Sequence, residues 1–364
     1  MTISCYSPYR LLIIFGQLKQ LIKVAELSEY SKELSDLFTE SENILLICHI
    51  NPDGDAIGSQ LALYHYLKAI GKKPEMLSPN NIQDFLKWMS GADLINIFIK
   101  NRKYCRELIA KSDLIVMVDF NQPERLGEAR KNVLSSSARR IIIDHHLNPV
   151  PFADIVISDP SKCSTTELIY DLLVSVADKP FLTKPVAEAI YTGIITDTGN
   201  FEYGSYTGHT LNIVAELLET GIEKDKIISL IYKNFSEQRM RLMGLALNER
   251  MTILPNYNTA YIYLTKNDLN AYDHINGDTE GFVNMPLAIK GVIFSVLFVE
   301  KDKFIKISFR SKGNFPVNKF ASEFFSGGGH LNASGGEYAD NMENTINYFV
   351  KVLKSNFKRF NFPG

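Results

Sequence analysis

From residue 44 onward, short all-apolar runs alternate with longer stretches whose apolar residues recur every three or four positions. Ile44-Leu45-Leu46-Ile47-Cys48 is of strand length and too short for a helix. A polar, glycine-containing loop follows, and residues 56–70 then take helical spacing that stops at Gly71. Segments 75–78, 114–118 (Leu-Ile-Val-Met-Val) and 141–143 (Ile-Ile-Ile) predict further strands with helices between them. Strands that alternate with helices pair in parallel, so the pattern predicts an α/β fold with a mostly parallel, doubly wound sheet. Residues 165–177, 185–196, 209–220 and 224–234 follow as a run of helices, and the charged, unbranched stretch 236–250 as a linking helix. After Pro255 the texture changes: 258–265, 291–299 and 303–310 are β-rich and predict a smaller mixed α/β domain. The expected division is an extension over 1–40, a first domain over 41–235, a link over 236–255 and a second domain over 256–364.

Composition supports this division. A chain of 364 residues, 45% hydrophobic and 22% charged, is long enough for two buried cores. A net charge of −2 argues against a surface that grips long nucleic acid, though not against a small anion held locally. Near the start, Arg10 precedes the apolar run Leu11–Phe15, which is too short for a membrane span and lacks a cleavage signal. It is expected to be a helical or disordered extension. The four cysteines (Cys5, Cys48, Cys105, Cys163) form no CxxC pair, which predicts reduced thiols in a cytoplasmic protein without membrane attachment.

Candidate chemistry gathers where predicted elements end. His49-Ile50-Asn51-Pro52-Asp53-Gly54-Asp55 directly follows the first strand, Asp119 follows 114–118, and Asp144-His145-His146 follows 141–143. In doubly wound sheets the carboxyl ends of the strands form the ligand crevice, so three separate loops point to one place. Asp197, at the end of an apolar helical run, can close the site. Taken singly, an aspartate after a strand is a common helix cap or turn residue; the conjunction is what carries weight. Carboxylates and imidazoles without thiolate favour manganese, magnesium or iron over structural zinc. The four charges of Asp53, Asp55, Asp119 and Asp197 balance two divalent ions, whereas one ion would leave like charges crowded.

These residues resemble the DHH phosphoesterase family, named for the motif found here at 144–146. The match covers His49-x-Asn-x-Asp53-Gly-Asp55, Asp119, Asp144-His145-His146 and Asp197, in the family's order. It continues in Arg310-Ser311 and in Gly327-Gly328-Gly329-His330 followed by Ala333-Ser334-Gly335-Gly336, which look like the accompanying DHHA1 domain. The resemblance implies two manganese ions per chain, with magnesium or another divalent cation as the substitute. It places one on His49, Asp53 and Asp119, and the other on Asp55, Asp119, His145 and Asp197. It sets His146 beside them, either to orient the groups around the metals or to transfer a proton, with Asp144 and Asp119 completing the catalytic group. Within the family, one DHH plus one DHHA1 domain looks like the bacterial nanoRNase/pAp phosphatases, which act on oligoribonucleotides of a few residues and on 3′-phosphoadenosine 5′-phosphate (pAp).

Residues 301–319 carry six basic residues (Lys301, Lys303, Lys306, Arg310, Lys312, Lys319) against one acid, Asp302. Most of these lysines suit a solvated strand edge. Arg310, with its planar fork, is the candidate for a bidentate phosphate contact, beside Ser311. One glycine after the predicted helix 317–325 is only a stop, but Gly327, Gly328 and Gly329 in succession let backbone approach and cup an anion, with His330 as a further donor. The expected substrate-binding domain therefore lies across a cleft from the metals and suits short RNA oligonucleotides or pAp rather than long strands. A homodimer is compatible with this reading. His209 is adequately explained by a helix N-terminus. Two alternatives stand beside it: a phosphodiesterase for cyclic di-AMP or linear dinucleotides, and a nucleotide-binding protein without catalysis.

Overall fold

The computed structural model describes residues 27–177, 180–202, 206–275, 277–329 and 331–361. It divides into two compact units, Met1–Lys233 and Asn234–Gly364. Among the described residues, no helix is long and apolar enough to cross a membrane.

The first unit is built on a six-stranded sheet in the order β3-β2-β1-β4-β5-β6. Its strands are β1 (Ile44–Ile47), β2 (Glu75–Ser78), β3 (Asn96–Ile97), β4 (Leu114–Val118), β5 (Arg139–Asp144) and β6 (Ile155–Ser158). All five pairings are parallel, and Leu45 lies opposite both Glu75 and Ile115. Each central strand buries alternate residues on opposite faces. Leu46, Val116, Ile141 and Ile143 face helices α1 (Leu27–Glu40), α2 (Gly54–Ala69), α5 (Thr165–Val176) and α6 (Lys184–Asp197). Leu45, Ile47, Ile115, Met117 and Ile142 face α3 (Arg102–Lys111) and α4 (Arg130–Leu134). Two covered faces explain why these strands are uninterrupted apolar runs. Helices α7 (Gly208–Glu219) and α8 (Lys224–Tyr232) complete the unit.

Within residues 1–40, helix α1 packs Leu34, Leu37 and Phe38 into this same core. The run at 11–15 lies outside the described residues. Cys48, Cys105 and Cys163 are free and buried, and burial pushes the Cys48 thiol up to about 12; Cys5 is outside the described residues.

The second unit carries a mixed sheet in the order β11-β12-β10-β9-β8-β7. Its strands are β7 (Met251–Leu254), β8 (Thr259–Leu264), β9 (Phe294–Glu300), β10 (Ile305–Ser311), β11 (Gly328–Gly329) and β12 (Ala333–Tyr338). Only β8 and β9 pair in parallel. One face packs a phenylalanine-rich cluster, including Phe294, Phe309, Phe320 and Phe349, under α10 (Val317–Phe324) and α11 (Met342–Asn361). The other face packs Leu297 and Val299 against Leu242 and Ala246 of α9 (Glu237–Asn248). The helix expected as a link thus contributes to the second unit's core.

Candidate metal centre

The strand order reverses between β1 and β4, which both begin at the middle of the sheet and run side by side. At such a switch point the loops leaving adjacent strands diverge and open a crevice. His49 and Asp53 leave β1 into it, Asp119 leaves β4, and Asp144, His145 and His146 leave β5. Asp197 arrives from the end of α6.

Local chemistry places each side chain. Asp53 caps α2, its Oδ1 accepting from the Asp55 and Ala56 amides at 3.1 Å. Asn51 and Asp119 both hold left-handed backbone, φ 53° and 66°. Asp and Asn tolerate that region better than other residues with side chains, and it turns each loop sharply off its strand. Asn51 is further fixed by Asn80, which donates from Nδ2 and accepts the Asn51 amide at 2.6 Å.

The buried Asp55 carboxylate sits at the amino end of α5. It accepts Thr165 N at 2.6 Å, Thr166 N at 2.9 Å and Thr166 Oγ1 at 2.8 Å, so unpaired helix amides meet a negative charge. Thr165 Oγ1 donates to Asp119 Oδ1 at 2.8 Å. These two threonines were not found from the sequence. The legible signal was Ser164-x-x-Glu167, which marks the helix start and in the structure caps it through Ser164.

Helices α2 and α6 approach closely because glycines face them. A Cβ on Gly58 would stand 2.5 Å from Ala189 O, and one on Gly193 would stand 2.6 Å from Asp55 Oδ1.

The donor atoms converge. His49 Nε2 lies 3.3 Å from Asp119 Oδ2 and 3.9 Å from Asp53 Oδ2. His145 Nε2 lies 3.2 Å from Asp197 Oδ2 and 3.9 Å from both Asp55 Oδ2 and Asp119 Oδ1. Among the described residues, His49–Asp53–Asp119 and Asp55–His145–Asp197 each bring three donor atoms within 4.8 Å, and so does Asp119–His145–His146. Asp144 stands behind. Its Oδ1 meets His146 Nδ1 at 2.7 Å, and its Oδ2 accepts the His146 amide.

The residues fit divalent cations. His49 Nδ1 is occupied by the Ile50 carbonyl at 2.8 Å, which leaves the other ring nitrogen aimed at two carboxylates. That Nε2 is buried and makes no well-directed hydrogen bond. A lone pair facing carboxylates without a proton or cation between them is repulsive, and a cation removes the conflict. Electrostatics agree: burial, and then the Asp119 and Asp197 charges, push the Asp55 carboxyl well up. Burial with Asp53 and Asp119 does the same at Asp197. Asp119 goes the other way; burial opposes its charge, but the rings of His49, His146 and His145 hold it well down. At His146, burial is outweighed by Asp144, Asp119 and Asp197, which push it up to about 10.

With the Asp55 and Asp197 carboxyls pushed up, protons would compete with an entering cation for them, so affinity should fall as pH falls. Manganese at about a hundred times its Kd is expected to stabilise the fold by about 2.7 kcal/mol per site. The rise in Tm should shrink between pH 8 and pH 5 and reverse with a chelator. An absent shift at pH 8, or an undiminished one at pH 5, would count against the centre.

The remaining expected residues lie in the second unit. Arg310 is half-buried on β10 and donates from Nη1 to the Phe309 carbonyl. Ser311 is buried, with its hydroxyl donating to Phe315 O at 2.7 Å and accepting from Asn332 Nδ2, so the structure gives it a use in holding the loop. Gly327 and Gly329 permit the close pairing of β11 with β12, since a Cβ would meet Gly335 O at 2.0 Å or Ala333 O at 2.6 Å. At Gly328 a Cβ would meet open space. His330 lies outside the described residues.

Comparison with known proteins follows the same division. The DHH family N-terminal domain matches residues 43–194, and the DHHA1 domain matches residues 257–359. The chain is 28% identical over 295 residues to the bifunctional oligoribonuclease and PAP phosphatase NrnA of Bacillus subtilis (strain 168), covering 81% of this chain and 88% of that one. It is 27% identical to the cyclic-di-AMP phosphodiesterase PdeA of Listeria monocytogenes serotype 1/2a, covering 85% of this chain but 47% of that one. A crystal structure of an exopolyphosphatase-related protein from Bacteroides fragilis superposes with a TM-score of 0.89 at 42% identity, covering 92% of this chain and 98% of that one. With its acids and imidazoles at the ends of β1, β4 and β5, the chain belongs to the DHH family of phosphoesterases, hydrolases of phosphoester bonds, and carries a DHHA1 domain in its second unit.

Proposed function

We propose that this chain is a cytoplasmic, manganese-dependent enzyme that releases mononucleotides from oligoribonucleotides of a few residues, removes the 3′-phosphate of pAp, or does both. The observation that carries the metal part is the pair of donor groups, His49–Asp53–Asp119 and Asp55–His145–Asp197, with Asp119 within 4 Å of both histidines. Bound there, divalent cations would supply an activated water and charge stabilisation for phosphoryl transfer.

The chain's own residues do the rest. Asp144 fixes the tautomer and orientation of His146 by accepting from Nδ1 and from the backbone amide. Proton exchange with the departing ribose oxygen then falls to Nε2. Thr165 and Thr166 hold Asp119 and Asp55 by hydrogen bonds and so keep both carboxyl groups aimed into the centre.

The substrate part rests on the family and on β10. Lys306, Ser308 and Arg310 alternate with the buried Ile305, Ile307 and Phe309, so they share the face away from the phenylalanine core. Beside them β12 offers Ala333 and Gly335, and β11 the exposed Gly328. Small residues beside an arginine suit a phosphate and a flat base. Ser311 and His330 complete the proposed substrate set with Gly327 and Gly329.

Relative rates on pAp, a dinucleotide, cyclic di-AMP and a single strand of about 24 nucleotides test this, since continuous stacking channels are what long strands need. pAp and the dinucleotide should be turned over fastest. Equal or faster cleavage of the long strand overturns the short-substrate reading, and cyclic di-AMP as the best substrate replaces it with the phosphodiesterase alternative.

A further inference from the structure

One charged network outside the acid–imidazole cluster touches it through the backbone. His145 Nδ1 lies 3.1 Å from the carbonyl oxygen of Lys162, the contact that turns its Nε2 toward Asp197, Asp55 and Asp119. Lys162 belongs to the turn before α5, its amide bonded to Asp159 O. Its ammonium reaches Asp171 Oδ2 on α5 at 2.5 Å, and Asp171 Oδ1 meets His209 Nε2 at 2.8 Å. His209 is the second residue of α7. Glu167 makes a parallel tie, accepting Cys163 N at 2.9 Å and Thr210 Oγ1 at 3.2 Å.

Two acids of α5 therefore fasten residues 162–163, of which Lys162 holds His145, to residues 209–210 in the first turn of the helix that follows Asp197 in the chain. His145 and Asp197 themselves face each other at 3.2 Å. Lys162 and Asp171 are only 15% and 13% exposed, so neither charge is well solvated once its partner is lost. A helix N-terminus accounts for His209 only in part.

We infer that Lys162, Asp171 and His209 are positioning residues for the second donor group, Asp55–His145–Asp197, and set its metal affinity without setting that of His49–Asp53–Asp119. The inference rests on the metal-centre reading above.

Calorimetric titration of the full chain with manganese tests it. Wild type should show two classes of site. In Asp171→Asn and in Lys162→Met, one class should weaken about tenfold and the other stay within about twofold, as expected when an outer partner of a ligand is removed. In a His49→Ala background, where the second group remains intact, the Asp171→Asn effect should persist; in an Asp55→Asn background it should vanish. Lys162→Met keeps the carbonyl that binds His145, so it answers the question if Asp171→Asn does not fold. Parallel weakening of both classes, or no change in Lys162→Met, overturns the inference while leaving the centre standing. A wild-type chain that takes up no manganese removes both.

Discussion

Replacing Asp119 with alanine is expected to lower kcat by at least about 10³-fold, the scale of losing a group that stabilises charge in the transition state. The reason is its place in both donor groups. Oδ2 lies 3.3 Å from His49 Nε2, while Oδ1 lies 3.9 Å from His145 and 3.7 Å from His146. No other acid of the cluster reaches all three rings among the described contacts. The alanine variant also strands the Thr165 hydroxyl and leaves the His49 ring buried without an anionic neighbour at that distance. Manganese uptake should fall with activity and should not return at high metal concentration. Phosphate release from pAp above a tenth of the wild-type rate would remove Asp119 from the centre.

Gly193→Ala is expected to damage the same centre from behind, through sterics alone. The added methyl would stand 2.3 Å from Thr166 Oγ1 and 2.6 Å from Asp55 Oδ1, closer than any real contact permits. Either α6 moves off α2, or Asp55 leaves the amide cradle at the start of α5. Overpacking of this kind costs about 1–3 kcal/mol, and a displaced ligand weakens metal binding by about 10–100-fold. Gly244→Ala supplies the contrast. It lies exposed in α9 with nothing within 4 Å of its Cβ, and should stabilise by about 0.5–1 kcal/mol. Chemical denaturation of the metal-free variants, followed by manganese titration, separates the two effects. A Gly193→Ala variant with wild-type stability and affinity would show that the helices yield freely.

Apart from Asp197, which ends a helix, the acid and histidine positions were legible because they follow apolar runs of strand length. Length identified those strands, and the carboxyl-end rule then converged their loops. What escaped was held by less regular chemistry. β6 and β7 are as short as β1 but only partly buried, and a serine or threonine breaks the all-apolar run that marked β1. β12 reads Ala-Ser-Gly-Gly-Glu-Tyr, which has no strand propensity; it pairs because glycine allows Phe325 O to lie where a Cβ of Gly336 would stand. Thr165 and Thr166 look like ordinary first-turn residues until Asp55, 110 and 111 positions away, is seen beneath them. His209 looked like a cap because its acidic partner lies on another helix.

The pairing of β1 with β4 sets Ile44 beside Leu114, and Asp119 N bonds to Ile143 O on β5. Contacts so distant in the chain close late, after long loops have been gathered at an entropic cost. A divalent ion therefore meets no formed binding site on the unfolded or early collapsed chain. Its influence falls on the escape from the native state, where it lengthens lifetime, and hardly at all on the speed of reaching that state.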